Sequence, residues 1–224
     1  MIIAIDGPAG SGKSTVAKIV AKKLRFRYID TGSMYRSIAW KSLKKKATLV
    51  DEDVIANIAW ETKIVLVPGE NGQLVFVDGE NITSQLKKET IGHGAAIVAA
   101  QPIIRKIMTA KQRELGKEGK VVMDGRDIGT VVFPQADKKF FLDADPEERG
   151  RRRFAELKKT KQEANVDLKT IVKQVIQRDL EDRNRKIAPL QQAKDAILID
   201  TTHLSIDQVV EKIMSTINLD PVSS

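Results

Sequence analysis

One stretch of this 224-residue sequence decides the fold: Gly7-Pro8-Ala9-Gly10-Ser11-Gly12-Lys13-Ser14-Thr15. It opens with a glycine, four further residues, a second glycine, a lysine and a serine, which is the pattern of phosphate-binding loops. A short apolar strand is predicted before it at residues 2–6, and a helix is predicted after it from about Lys13 to Leu24. Because this pattern binds phosphate when it joins a strand to a helix, the stretch predicts a site for a triphosphate.

Two side chains of the loop carry the predicted chemistry. Lys13 is expected to reach the β and γ oxygens of a bound triphosphate as a catalytic residue, and Ser14 is expected to hold Mg2+. All residues from Gly7 to Thr15 are expected to bind the nucleotide, because glycines let backbone N–H groups turn towards phosphate oxygens. The alternative is an ordinary glycine-rich turn with an exposed lysine, which leaves three glycines in eight residues unexplained.

The rest of the sequence alternates between strand and helix patterns. Further strands are predicted at 27–30, 121–124, 139–142 and 196–200. Helices are predicted at about 31–46, around 54–59, from about 86 to 116 with a new start at Pro102, at 146–159 and 167–186, and after a capping box at 205–208. The alternation predicts an α/β fold with a central parallel sheet covered by helices on both faces.

Residues 63–83 interrupt the alternation. Two apolar runs, Ile64–Val67 and Leu74–Val77, flank a turn at residues 68–72 that contains a proline and two glycines. Short apolar runs around such a turn are typical of an antiparallel hairpin. We therefore predict a small β-rich insertion at this point of the chain.

Composition restricts the chemistry of any site. The sequence has no cysteine, which excludes disulfides, thiolate catalysis and cysteine-bound zinc. Its two histidines, His93 and His203, are too few and too distant in sequence for a histidine-rich metal site. Any metal must then be a hard cation held by oxygen atoms, which agrees with Mg2+.

Charge and hydropathy bear on partners and location. The net charge of +8 fits either a nucleic-acid binder or an enzyme of phosphorylated substrates, but only 4% of residues are aromatic, which disfavours stacking on single strands. No apolar run approaches the ~20 residues that span a bilayer, and residues 1–6 lack the basic segment of a secretion signal. We expect a cytoplasmic protein with no membrane or nucleic-acid partner.

Four further stretches indicate a second, small anionic substrate. They are Asp30 to Arg36, Asp124 to Asp127, Arg149 to Arg153, and Arg178 to Arg185. The first two follow predicted strands, where open α/β sheets place ligand groups. Taken singly, each stretch has another interpretation: a strand-end cap, a basic surface patch, or a solvated helix with i,i+4 ion pairs. The sequence has no Asn-Lys-x-Asp guanine-binding motif, which argues against a GTPase.

These stretches closely resemble those of the bacterial cytidylate kinases, a family of P-loop nucleoside monophosphate kinases. The matching strings are Gly7 to Thr15, Asp30 to Arg36, Asp124 to Pro134, Arg178 to Arg185 and Ala188-Pro189-Leu190. The resemblance implies transfer of the γ-phosphoryl group of ATP to CMP or dCMP with Mg2+. It also implies one P-loop kinase domain over residues 1–224, with an inserted monophosphate-binding region at about 63–100 and a basic helical lid at about 146–165. We expect a monomer.

The resemblance also implies substrate contacts, position by position. Arg105 and Asp127 would bind the cytosine, Arg178 and Asp182 the sugar, Arg36, Arg126 and Arg185 the phosphates, and Thr31 would border the acceptor pocket. Where the family has a serine nine residues before Arg105, this sequence has Ala96. One cytosine contact is therefore expected to be missing, which would loosen selection of the base.

Catalysis is expected to come from positioning and charge. Lys13 and Arg126 are assigned catalytic roles, together with three arginines of the lid, Arg149, Arg152 and Arg153. Closure of the lid would expel water and bring one of these arginines to the transferring oxygens.

Three alternatives stay open at this point. The same fold could take another acceptor, such as UMP, AMP or an alcohol that is not a nucleotide. The charge of +8 is also compatible with an ATPase that binds nucleic acid, which DNA or RNA would stimulate. A nucleotide-binding interaction module would bind ATP and transfer nothing. The sequence does not decide between CMP and dCMP.

Overall fold

The computed structural model describes residues 1–69, 72–159 and 167–218. The chain divides into two compact units, the first formed by Met1–Arg27 with residues 119–218 and the second by Tyr28–Glu118. Glu70 and Asn71 of the predicted turn lie outside the described residues, as do residues 160–166, which include the end of the predicted lid. The expected bounds of the inserted region and of the lid remain predictions.

The elements agree with the sequence patterns to within a few residues. Their order is β1 (Ile2–Asp6), α1 (Lys13–Leu24), β2 (Arg27–Asp30), α2 (Thr31–Lys44), α3 (Glu52–Glu61), β3 (Ile64–Gly69), β4 (Gly72–Val77), β5 (Glu80–Asn81), α4 (Glu89–Ala99), α5 (Pro102–Gly116), β6 (Val121–Gly125), β7 (Lys138–Asp143), α6 (Pro146–Lys159), α7 (Leu168–Arg183), β8 (Ile197–Asp200) and α8 (Ile206–Asn218). A 3-10 turn at Gln85–Lys87 precedes α4, and a π-helical turn at Ile128–Val132 follows β6. Neither β5 nor the π-helical turn was predicted.

The main sheet has five strands in the order β2-β6-β1-β7-β8. β1 pairs in parallel with β6 and β7, and β7 pairs in parallel with β8. Ile3, Ala4 and Ile5 of β1 are completely buried, as expected for a central strand with both faces covered. The predicted α/β fold with a central parallel sheet is confirmed, and the carboxyl ends of β1, β6, β7 and β8 lie at one edge of that sheet.

Helices of the first unit pack around these strands. α1 contacts β1, β6 and α8, and α6 packs along α7. The predicted capping box at the start of α8 is confirmed, because the Gln208 N–H donates to the Ser205 hydroxyl and the Ser205 N–H donates to the Gln208 side chain. None of the helices in the described ranges is long and apolar enough to cross a membrane.

The second unit contains the predicted hairpin. β3, β4 and β5 form an antiparallel sheet, and one hydrophobic cluster joins β4 to the residues that follow β5: Val75, Val77, Ile82, Leu86 and Ile91. β5 adds a third strand to the two that were predicted, so the small β-rich insertion is confirmed and extended. α2 packs against α4, and α3 packs against α5.

Candidate nucleotide site

The phosphate loop follows the carboxyl end of β1, and close neighbours shape its backbone. Gly7 has a φ of 152°, and a Cβ there would collide with the Leu142 carbonyl oxygen of β7. Gly10 has a φ of 77°, and a Cβ there would lie 3.0 Å from the Arg149 carbonyl oxygen. Glycine alone fits both positions without strain. The loop ends at the N-terminus of α1, where the partial positive charge of the helix favours phosphate.

Lys13 is buried against the loop that it terminates. Its Nζ donates to the Pro8 carbonyl oxygen at 2.9 Å. Burial, aided by the positive charge of Arg126, lowers the pKa of Lys13 to about 7. Phosphate oxygens at the loop would favour the charged ammonium and raise this pKa again, so an anion is the natural partner of Lys13.

Ser14 and Asp124 form a pair of hard oxygen donors beside the loop. The Ser14 hydroxyl donates to the Asp124 carboxylate at 2.6 Å, and Asp124 is buried at the end of β6. Hydroxyl and carboxylate oxygens are the ligand types that Mg2+ prefers, so this pair fits the predicted metal. Among the described residues no group of three or more histidine, cysteine, aspartate or glutamate side chains is arranged around a metal position.

Arg126 and Arg185 are joined through one carboxylate. Arg126 Nε donates to Asp182 Oδ2 at 2.8 Å, and Arg185 Nη1 lies 3.5 Å from Asp182 Oδ1. Burial opposes both charges, yet the neighbouring arginines hold the pKa of Asp182 below its ordinary value, and Asp182 raises the pKa of Arg126. The Lys13 pKa responds to the charges of Arg126, Arg178 and Asp182, so these side chains share one electrostatic environment with the loop.

Asp127 lies in a turn that is held by Asp6, the last residue of β1. Asp6 accepts hydrogen bonds from the backbone N–H groups of Ile128 at 2.8 Å and Gly129 at 2.7 Å. Burial raises the pKa of Asp6 to about 7, and the nearby charge of Asp127 adds to the increase. Asp127 itself is 5% exposed. The structure thus places Asp127 in the same unit as the phosphate loop, on a turn fixed by β1.

The three predicted lid arginines lie on α6 and differ in their contacts. Arg149 is 2% exposed and forms an ion pair with Asp179 of α7. Arg152 pairs with Glu148 and donates to Thr201, which follows β8. Arg153 pairs at 3.0 Å with Glu156, whose side chain is largely exposed. Arg149 and Arg152 are therefore integrated into the first unit, whereas Arg153 has a solvent-exposed partner.

The second unit carries the remaining predicted contacts. Asp30 caps α2 by accepting from the Ser33 N–H at 3.0 Å, and its carboxylate lies 3.6 Å from Arg36 Nη1. Thr31 is buried in the first turn of α2. Gln73 of β4 accepts from the Asp30 N–H and donates to the Ser33 hydroxyl, so the hairpin is fastened to the start of α2.

Arg105 lies on α5 and is 3% exposed. Its Nη1 donates to the Ala99 carbonyl oxygen at 3.1 Å, and its guanidinium carbon lies 5.5 Å from the centre of the Tyr35 ring. Ala96, the departure from the family pattern, is half-buried on α4. Within the second unit the structure therefore packs Arg105 beside α2 and α4.

Sequence reasoning missed four polar residues beside these side chains. Asp6 and Thr201 stand at or directly after the carboxyl ends of β1 and β8, so the rule that ligand-edge residues follow strands could have found them. Asp179 lies within a stretch that was singled out, but its partner Arg149 is distant in sequence. Gln73 was hidden in the apolar pattern of β4, and no sequence signal points to it.

Comparison with known proteins shows which family this sequence is similar to. A sequence profile described as "Cytidylate kinase" matches residues 3–219. The cytidylate kinase of Geobacillus sp. (strain WCH70) is 50% identical over 216 residues, which cover 96% of each chain. That of Bacillus subtilis (strain 168) is 45% identical over 215 residues, which cover 96% of this chain and 95% of the relative.

Solved structures with the same fold are more distant in sequence. Shikimate kinase from Bacteroides thetaiotaomicron superposes with a TM-score of 0.52 at 17% identity, covering 98% of this chain and 99% of that one. An uncharacterized protein from Eubacterium ventriosum gives a TM-score of 0.55 at 14% identity with the same coverage. These two similarities establish the fold, and the full-length sequence matches establish the relationship.

Proposed function

This chain belongs to the cytidylate kinase family, and from that premise we propose that it transfers the γ-phosphoryl group of ATP to CMP or dCMP. The observation that carries the proposal is the phosphate loop with Lys13, Arg126 and Asp182 in one electrostatic environment. Such a site binds a triphosphate and offers further cations for a second phosphate. The products are ADP and CDP or dCDP.

The loop residues Gly7 to Thr15 bind the ATP phosphates in this proposal. Backbone N–H groups and Lys13 contact the β and γ oxygens, and the burial of Lys13 makes its charge more effective there than in water. Ser14 and Asp124 would hold Mg2+, which offsets phosphate repulsion when bound.

Transfer is proposed as a direct in-line displacement. An oxygen of the acceptor phosphate attacks the γ-phosphorus, a new P–O bond forms, and the bond to the β–γ bridging oxygen breaks to release ADP. The chain supplies no covalent nucleophile: Lys13, Arg126 and one arginine of α6 stabilise negative charge on the transferring oxygens. Among the α6 arginines we propose Arg153 for this role, because Arg149 is engaged with the Ala9 carbonyl and Arg152 with the Thr201 carbonyl.

Base selection is proposed to rest on Asp127. Cytosine has an exocyclic amine that donates a hydrogen bond to a carboxylate. Uracil has a carbonyl oxygen at the same position, which a carboxylate repels. The acceptor roles of Thr31, Arg36, Arg105, Arg178, Asp182 and Arg185 follow the family pattern. Ala96 lacks the hydroxyl that the family places there, so we expect measurable activity with UMP.

The experiment is an acceptor panel. CMP, dCMP, UMP and AMP are each supplied with ATP and Mg2+, and ADP release is measured for the wild type, Asp127→Ala and the exposed control Asp53→Ala. We expect CMP and dCMP to be the best acceptors. Asp127→Ala should lower kcat/KM for CMP by about 10- to 100-fold, because a hydrogen bond to a charged group is lost. The ratio of kcat/KM for CMP to that for UMP should therefore become smaller. CMP no better than AMP in the wild type would overturn the proposal.

Location and assembly belong to the same proposal. Both substrates are nucleotides of the cell interior, which supports a cytoplasmic enzyme, and we propose a monomer. Light scattering of the purified chain during size-exclusion chromatography, with and without ATP and CMP, measures the mass directly.

A further inference from the structure

Arg149 is buried in the first unit, where its guanidinium group contacts three other residues. Its three nitrogens have three different partners: Nε donates to the Ala144 carbonyl at 2.8 Å, Nη1 donates to the Ala9 carbonyl at 3.2 Å, and Nη2 lies 2.6 Å from Asp179 Oδ2. Ala9 belongs to the phosphate loop. The Asp179 carboxylate therefore fixes a guanidinium that in turn holds one carbonyl of the loop.

A second contact chain reaches the loop through Thr201. Arg152 Nη1 donates to the Thr201 hydroxyl at 3.1 Å and Nη2 donates to the Thr201 carbonyl at 2.6 Å. The Thr201 hydroxyl, which is 3% exposed, donates in turn to the Ser11 carbonyl at 3.1 Å. Thus Arg152 orients a hydroxyl, and that hydroxyl holds a second carbonyl of the loop.

Peptide planarity gives these two contacts a consequence for phosphate binding. The Ala9 carbonyl shares a peptide plane with the Gly10 N–H, and the Ser11 carbonyl shares one with the Gly12 N–H. In a trans peptide the C=O and N–H bonds point in opposite directions. A donor that holds each carbonyl therefore fixes the direction of the N–H group in the same peptide plane, although both glycines are in the flexible left-handed region.

We propose that Thr201 and Asp179 are positioning residues for ATP: Thr201 directly, and Asp179 through Arg149, hold the Ser11 and Ala9 carbonyls so that the Gly12 and Gly10 N–H groups face the phosphates. This role lies in orienting the loop and needs no contact of either residue with the nucleotide. The inference rests on the proposed function in requiring ATP at the loop, but it does not depend on the acceptor.

The main test compares Thr201→Val with Thr201→Ser. Valine keeps the size of threonine without the hydroxyl, and serine keeps the hydroxyl. Calorimetric titration with ATP and Mg2+ in the absence of acceptor gives the ATP Kd, and steady-state rates give KM for ATP and for CMP. Thr216→Val is the matched control, because the Thr216 hydroxyl donates to the Lys212 carbonyl of its own helix.

We expect Thr201→Val to raise the Kd and KM for ATP by about 5- to 10-fold, the usual effect of one lost hydrogen bond. Thr201→Ser and Thr216→Val should stay within about 2-fold of the wild type, and KM for CMP should not change in any of them. Asp179→Asn should also raise the ATP Kd. If Asp179→Asn fails to fold, Thr201→Val still tests whether holding a loop carbonyl supports ATP binding.

Three results would overturn the inference: an unchanged ATP Kd in Thr201→Val, equal loss in Thr201→Val and Thr201→Ser, or equal loss of ATP and CMP affinity. Whether CMP is the acceptor can be tested independently of whether Thr201 and Asp179 orient the loop. If the wild type binds ATP but transfers nothing to CMP, the proposed function fails, whereas an ATP defect confined to Thr201→Val still supports the positioning role. A wild type that does not bind ATP contradicts both.

Discussion

Asp6 is a buried carboxylic acid whose pKa in the folded protein lies close to neutral pH. It is the last residue of β1 and accepts two backbone hydrogen bonds from the turn that carries Asp127. Burial raises its pKa to about 7 from an ordinary value of 3.8, and Asp127 adds to the increase. The folded chain therefore binds a proton at Asp6 more tightly than the unfolded chain does.

This pKa predicts how stability depends on pH. Between the unfolded pKa of 3.8 and the folded pKa of about 7 the native state holds more protons, so the contribution of Asp6 is full below this window and is lost as pH rises through it. Asp6→Asn cannot titrate. We expect the unfolding free energy of the wild type, relative to Asp6→Asn, to fall by a few kcal/mol across the window.

Chemical denaturation of both proteins at a series of pH values measures this difference. The variant loses one of the two accepted hydrogen bonds at every pH, which shifts its curve without changing the slope. Parallel stability curves for the two proteins would contradict the assignment of the raised pKa to Asp6.

For single residues, the sequence predicts most where one local pattern is sufficient. The phosphate loop needs only its own spacing and the flanking strand and helix, and these were predicted. The burial of Arg149 was not predicted, because it depends on Ala9 and Asp179, which are distant from it in the chain. Periodicity indicates which helix face a residue occupies, but it does not identify the partner.

Among the elements, α6 combines two kinds of arginine on one helix. Arg149 and Arg152 are fixed by contacts to the loop and to Thr201. Arg151 and Arg153 pair with glutamates of the same helix, and these pairs are partly or largely exposed. Exposed i,i+3 and i,i+4 pairs contribute less than about 1 kcal/mol, so these pairs by themselves do little to keep Arg151 or Arg153 from a phosphate.

This difference predicts distinct effects of substitution along α6. Arg153→Ala should lower kcat by about 10³-fold or more, as loss of a charge-stabilising arginine does in phosphoryl transfer, with little change in KM for CMP. Arg151→Ala removes an equally charged neighbour and serves as the matched control, with kcat within about 2-fold of the wild type. Steady-state rates with saturating ATP provide the comparison. Equal effects of the two substitutions would exclude a specific role for Arg153.

The helices and strands themselves were predictable because their signals are local. Asp30 and Asp51 cap α2 and α3, and Pro102 begins α5. β5 has two residues and exists through its pairing with β4, so no periodicity could reveal it. The π-helical turn at Ile128–Val132 depends on the carbonyl of Asp127 and on Asp6, and is likewise a tertiary feature.

For the molecule as a whole, the net charge of +8 left a nucleic-acid partner open. In the structure many basic side chains form ion pairs with carboxylates. Examples are Lys41 with Asp78, Lys44 with Glu80 and Lys139 with Asp195. Arg126 and Arg149 are paired inside the first unit. A paired cation must give up or share its carboxylate before it binds a phosphate, so these side chains bind a polyanion less strongly than unpaired cations would.

We therefore expect no effect of nucleic acid on ATP turnover. Hydrolysis of ATP without acceptor should change by less than about 2-fold on addition of single-stranded RNA or DNA, even at low salt, where electrostatic binding is strongest. Adding CMP to the same mixture is the positive control. Strong stimulation that disappears as salt rises would instead support the nucleic-acid-dependent ATPase.

The close approach of two neighbours to the phosphate loop changes how mutational data on it should be interpreted. Gly7 lies against the Leu142 carbonyl of β7, and Gly10 lies against the backbone of Arg149 on α6. A side chain at either position would disturb assembly of the sheet or docking of the helix before any ligand arrives. Inactivity after such a change therefore reports a folding defect as readily as a lost phosphate contact, whereas truncation of the Lys13 or Ser14 side chain adds no atoms against these neighbours and tests the chemistry more directly.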